Sequence, residues 1–221
     1  MIRTKLIGMV VLVLLPSALF GQKEDIPRTE YFSQFRAALE KSDSLSRRQL
    51  KQSRLVFEGK VTQEAWTSEY QLPDRVRYLH ITDVGGKRWS TEQITIGKDQ
   101  YCKKNDDPWI LVTGLSSCIP GSARGVSGVI SEVFGKQKTM LNGKTVTVYS
   151  WYITHKDTFS KSAATDGESF SESKFWVDKT GLILRAEDRS GLVRDTTPRF
   201  EEIETYEYGS AIKIEAPLKK S

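Results

Sequence analysis

Between Ser53 and Pro217 the chain repeats one pattern: short stretches of alternating apolar and polar residues, each ended by residues that let a chain reverse. Asp83-Val84-Gly85-Gly86, Asn105-Asp106-Asp107-Pro108, Asn142-Gly143 and Asp178-Lys179-Thr180-Gly181 are the clearest of these breaks. Each supplies glycine or asparagine for positive φ, or Asp for a side-chain-capped turn. Strands joined by turns this short must lie antiparallel to their neighbours, because a parallel crossover needs a dozen or more residues.

The stretches are 55–62, 66–72, 75–82, 88–96, 99–103, 109–113, 138–141, 146–155, 168–177, 182–188, 199–208 and 212–216. In the first, Leu55, Phe57, Gly59 and Val61 form the apolar face and Glu58, Lys60 and Thr62 the polar one. Together they predict a mainly β fold, an incomplete antiparallel barrel of about ten or eleven strands covered by short helices. Several stretches are apolar on both faces, as where Val146 and Val148 oppose Tyr149, Trp151 and Ile153, so each face of the sheet needs cover.

Helical spacing occurs twice. Tyr31, Phe32, Phe35, Ala38 and Leu39 fall on one stripe after Thr29, within an N-terminal helical segment, 22–52, whose last part (42–52) is polar and basic. Val126, Val129, Ile130, Val133 and Phe134 recur at i, i+3, i+4, i+7 and i+8, with Gly135 as a stop. They predict a helix near 125–134 that packs on the sheet or lids a cavity.

Residues 1–21 have the three parts of a secretory signal: Arg3 and Lys5, an apolar run, then Pro16, Ser17 and Ala18 before Gly21. Removing them leaves a single domain, 22–221, expected in the periplasm or secreted, and with no cysteine near the cleavage point to take a lipid. It takes the basic count from 33 to 31 against 28 acids, a net charge of +3. With both signs interspersed, nucleic acid is excluded as a partner. One basic cluster, Arg47, Arg48, Lys51 and Arg54, stands out; it is either a solvated helix face or a contact for anionic membrane lipid. Cys102 and Cys118 form an even pair in an exported chain and are expected to be a structural disulfide.

Catalytic and cofactor chemistry is poorly supplied. His80 and His155 each sit inside a strand pattern without a nucleophile elbow, and with both cysteines expected in a disulfide they provide no metal set; no cofactor is expected. Glu201, Glu202, Glu204 and Glu207 alternate with Phe200, Ile203 and Tyr206, the mark of a solvated strand face. What remains is aromatic: Phe57, Trp66, Trp89, Trp109, Trp151 and Trp176 are the candidate lining of an apolar cavity, or else ordinary core.

Leu72-Pro73-Asp74-Arg75-Val76-Arg77-Tyr78 and Ile94-Thr95-Ile96-Gly97-Lys98-Asp99-Gln100-Tyr101 resemble segments of the bacterial periplasmic lipoprotein-carrier superfamily, the LolA and LolB type with LppX- and LprG-like relatives. Phe175-Trp176-Val177-Asp178-Lys179-Thr180-Gly181-Leu182, Ala186-Glu187-Asp188-Arg189-Ser190-Gly191 and Ile214-Glu215-Ala216-Pro217 continue the resemblance over most of 31–217. It implies a helix-lidded half-barrel whose interior receives acyl chains: a non-catalytic, monomeric carrier of a lipid, a lipoprotein acyl group or another hydrophobic ligand. Where the carriers have a functional arginine before the proline, this chain has Leu72, so their polar latch does not carry over. The other reading is an envelope protein–protein interaction module with a filled interior.

Overall fold

A computed structural model describes residues 22–112, 129–156, 168–195, 197–209 and 211–218. The expected signal, Cys118, Val126 and most of the polar stretch 156–167 lie outside the described residues.

The described residues form one helix and twelve strands, in chain order β1 (Glu24–Asp25), α1 (Arg28–Asp43), β2 (Arg47–Phe57), β3 (Lys60–Gln71), β4 (Arg75–Val84), β5 (Lys87–Ile96), β6 (Asp99–Lys104), β7 (Ile110–Val112), β8 (Val129–Leu141), β9 (Lys144–Lys156), β10 (Glu168–Asp178), β11 (Ile183–Leu192) and β12 (Phe200–Tyr208). All twelve strands form one open sheet in the order β1-β8-β9-β10-β11-β12-β2-β3-β4-β5-β6-β7. Every pairing is antiparallel. The sheet is two meanders, β2 to β7 and β8 to β12, joined where β12 pairs with β2 through partners such as Phe200 and Leu55. Among the described residues it is not closed into a barrel, and β1 and β7 are its edges.

Three turns form where glycine and asparagine allow positive φ: Gly85 and Gly86 between β4 and β5, Asn142 and Gly143 between β8 and β9, and Gly181 between β10 and β11. At the last, Asp178 Oδ1 accepts the backbone N–H of Thr180 and of Leu182, which fixes the reversal.

Four expectations are corrected. Residues 55–62 are not one strand: the chain reverses at Glu58 (φ 48°) and Gly59 (φ 74°), so Phe57 and Lys60 pair across a hairpin. Helical structure ends at Asp43, and the basic stretch is strand β2. The expected helix near 125–134 is, from Val129 onward, strand β8; β-branched Val129, Ile130 and Val133 suit a strand, and the backbone bonds to β9 along its length. Residues 212–216 do not join the sheet, yet they anchor the chain end: Ile214 is 1% exposed.

α1 lies across β8, β9 and β11 with its Tyr31 edge-on to Phe175 of β10. Ile26, Tyr31, Phe134 and Phe175 are the buried centre of this layer, with Tyr149, Trp151, Val177 and Ala186 packed against it. Ser42, fully buried near the end of α1, ties helix to sheet: its hydroxyl accepts the Tyr208 phenol at 2.8 Å and the Ile183 N–H at 3.3 Å. A second cluster, Ile94, Tyr101 and Ile214, gathers Ile96, Trp109 and Ile212.

Candidate functional site

Register assigns every strand residue to one of two faces. The inner face is the one that carries α1. From β12 to β5 its rows run Phe200, Leu55, Thr62, Val84; then Glu202, Ser53, Glu64, Thr82, Trp89; then Glu204, Lys51, Trp66, His80, Thr91; then Tyr206, Gln49, Ser68, Tyr78, Gln93. Among the described residues no element lies over this half of the face, which begins where α1 ends.

The rows grade from apolar to polar. At one end Leu55 and Trp89 are exposed and Phe200 is buried. In the middle Lys51 Nζ lies 3.1 Å from Glu202 and 3.8 Å from Glu204, and 5.8 Å above the Trp66 ring. Gln49 donates to Glu204 at 2.9 Å, and the Tyr206 phenol donates to the same carboxylate at 2.7 Å. Burial, aided by the Glu204 charge, pushes the Tyr206 phenol well above its usual range, so it stays a donor. At the far end Arg47 is buried, bound to Asp43 at 2.6 Å and stacked 4.0 Å over Tyr70. An amphipathic molecule laid along the strands would thus meet an apolar end and a polar, charge-compensated band.

Trp66 and His80 stack at 3.6 Å with their planes 15° apart, and His80 Nε2 lies 3.1 Å from Thr82 Oγ1 and 3.8 Å from Glu64. Burial lowers the His80 pKa below 6.5; Glu64 opposes this and Lys51 adds to it. The unfolded chain therefore takes up this proton more readily than the folded one. The stability held by neutral His80 is complete above its unfolded pKa and is lost as pH falls through 6.5 toward the folded value. Urea denaturation from about pH 7 to pH 5 should show a shallower loss of stability in His80→Phe, which keeps the stack, than in the parent. Equal slopes would remove His80 as the group responsible.

The six candidate lining residues do not form one site. Phe57, Trp66, Trp89 and Trp151 are on the inner face, but Trp151 belongs to the layer beneath α1, 6.0 Å from the Phe134 ring. Trp176 is on the outer face with Arg185 stacked 5.6 Å over it. Trp109 lies beside the Ile94, Tyr101 and Ile214 cluster. Of the lid candidates, Phe134 is buried beneath α1 while Val129, Ile130 and Val133 are exposed on β8. Cys102 is buried on β6.

The basic cluster is dispersed because β2 alternates. Arg47 and Lys51 point inward. Arg48 points outward into ion pairs with Glu69 at 2.7 Å and Glu207 at 3.5 Å, a chain continued by Arg77 and Glu92 at 2.6 Å. Arg54 borders an outer pocket of about 400 Å³ with Gln52, Gln63, Ala65, Arg189 and Ile203. The solvated helix face does not survive, because the cluster lies on a strand and divides between its two faces. The glutamates of β12 are corrected in part: Glu202 and Glu204 share the inner face with Phe200 and Tyr206, while Ile203 and Glu207 are exposed on the outer one. The signal for this polar band was a shared parity of Arg47, Gln49, Lys51 and Ser53 leading into Leu55 and Phe57.

No family model and no curated protein matches the chain. Solved structures similar to it include the following three. The lipoprotein LppX of Mycobacterium tuberculosis is 11% identical, with 86% of this chain and 100% of that one covered and a TM-score of 0.47. A domain assigned by name to outer membrane lipoprotein sorting, from Vibrio parahaemolyticus, is 9% identical over 84% and 94% of the two chains, with a TM-score of 0.29. A DUF1329 family protein of Desulfovibrio piger is 11% identical over 86% and 96%, with a TM-score of 0.31. Identity is low in all three cases.

Proposed function

We propose that this is an exported, non-catalytic binding or carrier protein that holds a lipid, a lipoprotein acyl group or a similar amphipathic molecule on the half of the inner face that no described element covers. The observation that supports this is the graded lining: Leu55, Val84 and Trp89 stay partly exposed beside Phe200, while Lys51, Glu204, Gln49 and Tyr206 form a hydrogen-bonded band next to them. Burying each methylene of an acyl chain there contributes about 0.8 kcal/mol, and the polar band receives the headgroup without stranding it in an apolar site.

Native mass spectrometry of protein from its own envelope, with displacement of a fluorescent fatty acid, tests this. Leu55→Asp should weaken the probe by about tenfold, because it places a charge in the apolar row. Leu50→Asp, on the opposite face of the same strand, should leave it unchanged. Equal effects of the two, or protein that is always recovered empty, would remove the carrier reading. The filled layer beneath α1, where Tyr31, Phe134, Trp151 and Phe175 meet ring to ring, supports the second reading, an envelope interaction module without a ligand.

A further inference from the structure

The antiparallel order brings the β2–β3 turn, the β4–β5 turn, the β11–β12 connection and the start of β8 to the same end of the sheet. That end is unusually apolar. Phe57 is 65% exposed, Val129 53%, Val193 47%, Trp89 and Ile130 46%, and Val84 stands beside them. The two hairpin tips project freely: a Cβ built on Gly59, Gly85 or Gly86 would have nothing within 4 Å. Large apolar side chains gathered at one end of the sheet and left about half exposed contribute only part of their area to the fold, and as a group mark a contact with something else.

The geometry points to the surface of an anionic phospholipid bilayer as that partner. The β2–β3 and β4–β5 tips are separate points two strands apart, about 10 Å. A fluid interface fills such gaps, whereas a rigid partner needs a matching ridge for each. Lys60, Lys87 and Arg88 flank the apolar tips and have no ion pair with any described residue. Glu58 and Asp83 are the acids on these turns, and Asp83 Oδ1 accepts the Gly86 N–H. The arrangement places Phe57, Val84 and Trp89 at the level of the acyl boundary, where aromatic rings favour the interface, with the three cations extended back to the phosphates. Docked this way the apolar rows that end at Leu55 and Trp89 open toward the membrane. The docking itself does not depend on whether that face holds cargo.

Co-sedimentation with sucrose-loaded vesicles tests it, comparing phosphatidylcholine containing phosphatidylglycerol with phosphatidylcholine alone. The protein should partition onto the anionic vesicles, and Phe57→Ser/Val84→Ser/Trp89→Ser should lower this by about tenfold or more. Lys60→Glu/Lys87→Glu/Arg88→Glu should lower it on anionic vesicles and abolish the difference between the two compositions. Unchanged melting of both variants keeps the comparison clean. Retained lipid occupancy in the native mass spectrum of the Lys60→Glu/Lys87→Glu/Arg88→Glu variant, which leaves the lining rows of the carrier reading intact, separates loss of docking from loss of cargo binding. Absence of vesicle binding, binding unaffected by the Ser variant, or a concentration-dependent dimer that the same variant dissolves would overturn the proposal, the last by assigning the patch to a second copy of the chain.

Discussion

Phe175→Ala is expected to lower the unfolding free energy by about 3–5 kcal/mol, the range for deleting a large aromatic from a packed interior. Phe175 is 2% exposed, and three rings surround it: Tyr31 at 5.3 Å, Phe35 at 5.2 Å and Tyr149 stacked at 5.0 Å. Helix and sheet both contribute, so the cavity cannot collapse without moving α1 off β10. Phe57→Ala, on a turn and largely exposed, should stay within about 0.5 kcal/mol. Urea titration of both variants decides the matter. A loss below about 1 kcal/mol for Phe175 would mean that α1 does not hold this layer together.

Ile214→Ala should cost about 2–5 kcal/mol, although the residue lies in no strand and only a few places from the chain end. Its side chain is buried against Ile94 and Tyr101. Its backbone is held at both ends, the N–H donating to Gln71 at 2.8 Å and the carbonyl accepting from Arg75 at 2.7 Å. A chain ending at residue 210 should lose at least as much, because Ile94, Tyr101, Gln71 and Arg75 all give up their partners together. Circular dichroism melts of the two should fall well below the parent. A truncated chain as stable as the full one would show that 211–218 only rests on the surface.

The sequence announced hairpins wherever the turn demanded a special residue. Gly85-Gly86, Asn142-Gly143 and Asp178 to Gly181 occur where expected because few other residues accept those backbone angles. The Glu58-Gly59 reversal was hidden because Glu58 takes a positive φ that its side chain does not advertise. Residues 129–134 satisfy helical spacing and also suit a strand; pairing with β9, a tertiary event, chose the strand. The site was less legible than the fold. Arg47, Lys51, Glu202 and Glu204 read as solvent-facing charges, and only the register of β12 on β2 turns them inward as mutual partners. Trp66 and His80 are fourteen residues apart in sequence, and only the β3–β4 register stacks them.

The seam between the two meanders fixes the order in which the sheet can be completed. As the chain emerges from its N-terminus, β2 can pair with β3 at once, but its other side waits for β12, roughly 150 residues later. Until then β2 has a bare flank, and its Arg47, Lys51 and Arg54 help to keep it from joining a wrong neighbour, as charges on an edge strand do. The last strand made is thus the one that unites the halves, so slowing or mispairing β12 should leave two folded sheets that have not met.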